Sequence, residues 1–218
     1  MKQSFRQPCC ALLRFQLMLF FLFITTLLSG CDNSKRLPDS TAEEDGVWGV
    51  GIPSNVMVVH AVEQHGTNWC WAASAQMALG TQSVEITQEE IVHRIFGKLV
   101  DSPGGVPHFF GLIGQYSTKE GIKQVTCEFG TGPPNLDFLI ESLQQNRPVI
   151  LAYSNPGNNI GHAVVATAAI CRDTSSGREL IKIIIRDPNP GTGKRTLDSA
   201  EYKNVMFYAT YKATQVKH

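Results

Sequence analysis

Gln64-His65-Gly66-Thr67-Asn68-Trp69-Cys70-Trp71-Ala72-Ala73 decides how this chain is read. A polar amide leads into a loop of Gly, Thr and Asn. A cysteine then opens an apolar, alanine-rich run that continues to Leu79 and stops at Gly80. Alanine is the best helix former and glycine the usual residue just past a helix end. The pattern therefore predicts a helix with Cys70 at its N-terminus. Unpaired N–H groups and the macrodipole favour negative charge there, which favours thiolate, the nucleophilic form of cysteine. Gln64 lies six residues upstream of Cys70. Its side-chain N–H and the backbone N–H of Cys70 are suited to hold a developing oxyanion. The competing reading is that Cys70 is a small buried apolar residue, as free cysteines commonly are. The rest of the chain decides between the two.

Outward from this stretch the elements separate by type. Asn55 to His60 reads as a short strand upstream. Downstream, Thr87-Gln88-Glu89-Glu90 is a capping box. Ile91, Val92, Ile95 and Phe96 then recur at helical spacing, Gly97 ends the helix, and His93 falls on its solvated side. Residues 101–121 are rich in Gly and Pro and predict a loop with one short helix. Ile122 to Phe129 reads as a strand. Asn135 is placed to cap a helix striped with Leu136, Leu139, Ile140 and Leu143. Pro148 stops that helix before a buried strand, Val149 to Tyr153. A Gly- and Asn-rich loop then delivers His162 to the head of the strand Ala163 to Cys171. After the turn Asp173 to Gly177, Glu179 to Arg186 pairs back, and Asp187-Pro188 breaks the strand. Val205 to Tyr211 is the last strand. Helices gather in the first half and antiparallel strands in the second, an α+β plan.

Three elements now converge on one chemistry. Cys70 opens a helix, His162 opens a strand, and Asp187 ends the hairpin partner of that strand. A thiol nucleophile needs a base, and the base needs a third group to fix its tautomer. On these residues the sequence resembles papain-like cysteine peptidases. Gln64 matches the oxyanion residue, Cys70 followed by Trp71 the nucleophile, and His162 in Gly161-His162-Ala163-Val164-Val165 the base. The Cys-Trp-Ala-Ala form is similar to compact bacterial members, including secreted effectors of plant pathogens. Arg186-Asp187-Pro188 is similar to peptidases that process bacteriocin leaders, which use aspartate as the third residue.

The resemblance covers roughly residues 55–210. It implies a papain-like fold, with the nucleophile helix of an N-terminal helical half packed on a C-terminal antiparallel sheet half. It also implies peptide-bond hydrolysis through an acyl-enzyme. Departures are Asn68-Trp69 before the nucleophile, Asp187 where papain has asparagine, and only 92 positions between Cys70 and His162. Cell-wall peptide hydrolysis, acyl transfer and an inactive peptide-binding scaffold are the alternatives. Asp187→Asn is expected to be milder than Asp187→Ala, since an amide oxygen still accepts the imidazole N–H.

The first thirty residues carry Lys2, Arg6 and Arg14 and no acid, ahead of an apolar run over residues 15–28. That is a signal-peptide pattern, too short to span a bilayer comfortably. Leu28-Ser29-Gly30-Cys31 follows and resembles the bacterial lipoprotein cleavage box. The resemblance implies lipidation at Cys31, a bacterial envelope location on the extracytoplasmic face, and, through Asp32, inner-membrane retention. Acyl chains contribute about 0.8 kcal/mol per buried CH₂ to such an anchor. Residues 31–46 are polar and read as a tether, so the reading is a signal peptide over 1–30, a lipidated tether over 31–46 and a peptidase domain over 47–218. The tether is too short to hold an inhibitory prodomain.

Charge is balanced at 19 basic against 19 acidic residues, and removing the leader leaves a mildly acidic chain. Nothing electrostatic points to nucleic acid. A peptide or protein substrate, the membrane through the anchor, and a monomer are expected. No metal-ligand cluster or phosphate loop appears, so no cofactor is expected. Beyond Cys9 and Cys10 in the leader, the cysteines are Cys31, Cys70, Cys127 and Cys171, too few for a disulfide scaffold. Cys127 and Cys171 either pair or remain two buried thiols.

Overall fold

A computed structural model describes residues 46–154 and 161–217. The signal peptide, the tether with Cys31 and most of the loop before His162 lie outside the described residues. The elements run β1 (Val47–Gly51), α1 (Ser54–His60), α2 (Cys70–Gly80), α3 (Gln88–Phe96), α4 (Val106–Phe110), β2 (Gly114–Thr118), β3 (Gly121–Thr131) and α5 (Leu136–Gln144). They continue with β4 (Val149–Ser154), β5 (Gly161–Thr174), β6 (Gly177–Asp187), β7 (Gly193–Thr196), α6 (Ser199–Lys203) and β8 (Val205–Gln215). Among the described residues the strands form one antiparallel sheet ordered β2-β3-β8-β4-β5-β6-β7, with β1 also paired to β5.

The strand β5 organises the sheet. Its first half pairs β4, with Tyr153 opposite His162, and its second half pairs β1, with Trp48 opposite Cys171. Its other edge pairs β6. Both faces are covered, so β4 is buried along Val149 to Tyr153, as a central strand between two layers must be. Side chains alternate across it. Ile150 and Ala152 join the cluster built with α2, α3 and α4, whereas Val149, Leu151 and Tyr153 join the one built with β1 and α5.

The helix α2, which Cys70 opens, is the most enclosed of the helices. Trp71, Ala72, Ala73, Ser74 and Ala75 are all buried, as are Met77 to Gly80. A helix apolar on every side belongs in the interior. Its small residues let it lie close on β5, where the Ser74 hydroxyl donates to the carbonyl of Ala163 at 3.1 Å. The next helix forms as its signals require. Thr87 accepts from the Glu90 N–H while the Glu90 carboxylate accepts from the Thr87 N–H. Gly97 closes it at φ +70°, a left-handed conformation suited to glycine. Asn135 caps α5 through the Phe138 N–H at 2.8 Å.

The fold is α+β and of the papain-like type, with some differences from the sequence reading. Asn55 to His60 is helix, not strand, and it follows Pro53. Of its apolar residues Met57 is buried while Val58 and Val59 are 61% and 74% exposed. A short apolar run carries no period that separates helix from strand. Strands β1, β2 and β7 and helix α6 were not expected. Gln115-Tyr116-Ser117-Thr118 and Gly193-Lys194-Arg195-Thr196 are too polar to signal strands, and they form as edge partners of β3 and β6. Cys127 and Cys171 are free thiols on different clusters.

Candidate active site

Cys70 is the first residue of α2, where no intrahelical acceptor reaches the opening N–H groups. Its approach loop is fixed from three sides. The Gln64 N–H donates to the Pro188 carbonyl at 2.8 Å. The buried amide of Gln88 accepts from the His65 N–H at 3.0 Å and donates to the Glu63 carbonyl at 2.9 Å, bracketing Gln64. The Asn68 N–H donates to Asp101 Oδ1 at 2.7 Å. The indoles of Trp69 and Trp71 donate to the carbonyls of Val100 and Ser102 at 2.8 and 3.1 Å. Gly104 lies flat on the Trp71 ring, and a Cβ there would collide with the indole.

His162 heads β5 and Asp187 ends β6, as the sequence placed them. Asp187 is 5% exposed. His162 Nε2 donates to Asp187 Oδ1 at 2.8 Å, and the ring shares its cleft with Cys70. With Nε2 committed to the carboxylate, Nδ1 is the nitrogen left for the thiol. Burial opposes charge on this imidazole, but the hydrogen bonds to Asp187 and Cys70 outweigh it and hold the pKa at about 9. Burial pushes the Asp187 carboxyl up, yet His162, the Asn189 N–H and Arg195 together keep it below the usual carboxylate value. Imidazolium and carboxylate are therefore the stable pair. Cys70, His162 and Asp187, brought from three elements, line one cleft of about 600 Å³.

Gln64 lines the same cleft, but its amide is turned into its own loop. Nε2 donates to the carbonyls of Gly66 and Thr67 at 2.9 and 2.8 Å, and Oε1 is buried without a partner. Both amide hydrogens are thus committed, and donation to an oxyanion requires one of them to be released. Three residues next to the site were missed in the sequence reading. The guanidinium of Arg195 meets the far side of Asp187, Glu201 meets Arg195, and the Tyr153 ring stands edge-on to His162 at 5.7 Å. Tyr153 was detectable in principle, since β4 pairs with β5 and places it opposite His162.

The α+β papain-like fold thus brings a thiol at a helix N-terminus, an imidazole and a carboxylate into one cleft. Residues 56–216 match the Peptidase_C39 like family, and the chain belongs to that family. Membership supports a peptidase, with the cysteine type following from the family. A comparison with curated proteins finds no match.

Proposed function

We propose that the protein hydrolyses peptide bonds with Cys70 as nucleophile, His162 as acid and base, and Asp187 as the residue that orients His162. The Cys70 thiolate attacks the peptide carbonyl carbon, and the carbonyl electrons move onto oxygen. The Cys70 N–H and Gln64 hold that oxyanion. His162 gives its proton to the leaving nitrogen as the C–N bond breaks, leaving a thioester. Water, losing a proton to His162, then attacks the thioester and releases the acid and the thiolate. The observation that carries this reading is the 2.8 Å hydrogen bond from His162 Nε2 to Asp187, in the cleft that Cys70 also lines. The test treats the full-length protein with an epoxide thiol inhibitor and a diverse peptide library. A mass increase on the Cys70 peptide should accompany loss of all library cleavage. Cleavage that survives full labelling of Cys70 would remove the nucleophile from this scheme.

Gln64→Ala should lower kcat by about 10²–10³, the usual cost of one oxyanion donor. The committed geometry of its amide makes this a sharp measurement, because a Gln64 that serves only to close the loop would change melting temperature and leave kcat intact.

The same reading places the enzyme on a membrane through lipid at Cys31, motivated by Leu28-Ser29-Gly30-Cys31 behind an apolar leader. Cells fed labelled palmitate should incorporate it into the wild type and not into Cys31→Ser. Equal labelling of both would refute the anchor.

A further inference from the structure

We propose that Arg195 is a positioning residue of this site, fixing the Asp187 carboxylate so that Oδ1 stays on His162, and that Glu201 and Tyr153 fix Arg195 in turn. The inference rests on the triad reading above. It starts from strand register. In the β6–β7 pair, Arg195 stands opposite Ile185 and Gly193 opposite Asp187. Side chains alternate along a strand, so Arg195 and Asp187 share one face as diagonal neighbours. The guanidinium is near enough to grip the carboxylate from behind.

The grip is a fork. Arg195 Nε and Nη2 both donate to Asp187 Oδ2, at 3.0 and 2.7 Å. The other Asp187 oxygen accepts from His162 Nε2 at 2.8 Å and from the Asn189 N–H at 2.9 Å. Each oxygen thus has two donors, and rotating the carboxylate breaks bonds on both sides. The outer edge of the guanidinium is also taken. Nη1 and Nη2 donate to Glu201 Oε2 and Oε1 at 2.6 and 2.6 Å. The Tyr153 hydroxyl accepts from Nη2 at 3.2 Å and donates to Glu201 Oε1 at 2.6 Å. Glu201 itself is held by the start of α6, where the Asp198 N–H donates to its Oε2 at 3.0 Å. The Tyr153 ring then returns to His162, edge-on at 5.7 Å.

This arrangement argues against the obvious rival, a cleft arginine that binds a substrate carboxylate. Its donors are already spent on Asp187, Glu201, Tyr153 and the Thr196 carbonyl. A planar guanidinium with both edges engaged is a rigid spacer. Asp187 is almost wholly buried, so its Oδ2 without Arg195 becomes an unpaired acceptor away from water, which drives a carboxylate to rotate or to protonate. The ionisable groups that act on His162 are Asp187 and Cys70, and those that act on Asp187 are His162 and Arg195.

Two effects of removing Arg195 have opposite signs on His162. If Asp187 stays in place, losing a neighbouring positive charge strengthens the carboxylate's pull and His162 titrates higher. If Asp187 turns away, His162 loses its partner and titrates lower. Positioning predicts the second. The experiment uses full-length Arg195→Ala, Arg195→Lys and Glu201→Gln. It reads the His162 ring by NMR titration, Cys70 alkylation by iodoacetamide mapped by mass spectrometry, and kinetics on a library peptide that the wild type cleaves. Arg195→Ala should lower the His162 titration point and cut kcat about 10²-fold with KM within about twofold, the scale of a misplaced catalytic group. Lysine should recover part of that loss, and Glu201→Gln should shift His162 in the same downward direction but less. A His162 titration point that stays or rises in Arg195→Ala, with kcat intact, overturns the proposal. Where Arg195→Ala does not fold, an unmoved His162 in Glu201→Gln overturns it. Alkylation profiles that coincide in the wild type and His162→Ala would instead sink the triad itself, so the two failures are distinguishable.

Discussion

Cys70→Ala should fold normally and lose peptide cleavage by on the order of 10⁶ in kcat, the scale on which deleting a nucleophile acts in serine peptidases. The fold is expected to survive because Cys70 is only half-buried and alanine is a better helix former. The companion measurement is iodoacetamide labelling at neutral pH, which reads Cys70 selectively within the domain. Burial, helped by Glu128, pushes the Cys127 thiol up to about 12, and burial also raises that of Cys171. Neither presents much thiolate to the reagent. Retention of a tenth of the wild-type rate by Cys70→Ala would end the nucleophile assignment.

His162→Ala should be nearly as damaging to cleavage, because nucleophile and base act as a unit. Its second signature is in pH. With the imidazole pKa at about 9, the cation persists through neutral and mildly acidic solution. The proposed mechanism has a cationic His162 activate the Cys70 nucleophile, and its expected result is that wild-type Cys70 still alkylates near pH 6. Alanine at 162 removes the cation, and alkylation should then fall about tenfold per pH unit below the ordinary thiol range near 8.5.

At Asp187 the geometry narrows the gap expected between asparagine and alanine. Both oxygens of Asp187 accept hydrogen bonds, Oδ1 from His162 and Asn189 and Oδ2 from Arg195. An amide has one acceptor, so Asp187→Asn keeps the bond to His162 only by pointing an NH₂ at a guanidinium. Asparagine should therefore approach alanine in its loss of kcat. A mutant within about tenfold of wild type, a factor equivalent to about 1.4 kcal/mol, would show that the fork from Arg195 does not constrain this carboxylate.

What the sequence carried well were features with local causes. The capping box at Thr87 and Glu90, the stop at Gly97 and the cap at Asn135 each form within a turn of the residues that specify them. Cys70 and His162 were legible because each sits at an element boundary marked by glycine or by a change of period. The β5–β6 hairpin placed Asp187 beside His162 without reference to anything distant. The misses have non-local causes. β7 is a polar tetrapeptide that becomes a strand only because the edge of β6 accepts it. Arg195 then enters the site through that pairing, and Glu201 enters through the cap of a five-residue helix. The turned-in amide of Gln64 depends on carbonyls whose direction the loop sets. Val58 and Val59 misled because apolar residues on a short exposed helix look the same as a strand in one dimension.

The enclosure of α2 has a bearing on control. An element with one face in water can tilt, and peptidases whose nucleophile rides on such an element can be switched by moving it. Here Trp71 through Ala75 are packed on every side and Ser74 is pinned to the strand that carries His162. On the proposed mechanism, nucleophile and base are thus parts of one rigid joint held by the fold itself. Restraint of such an enzyme has to come from outside the joint, by denying the substrate its cleft rather than by dismantling the machinery.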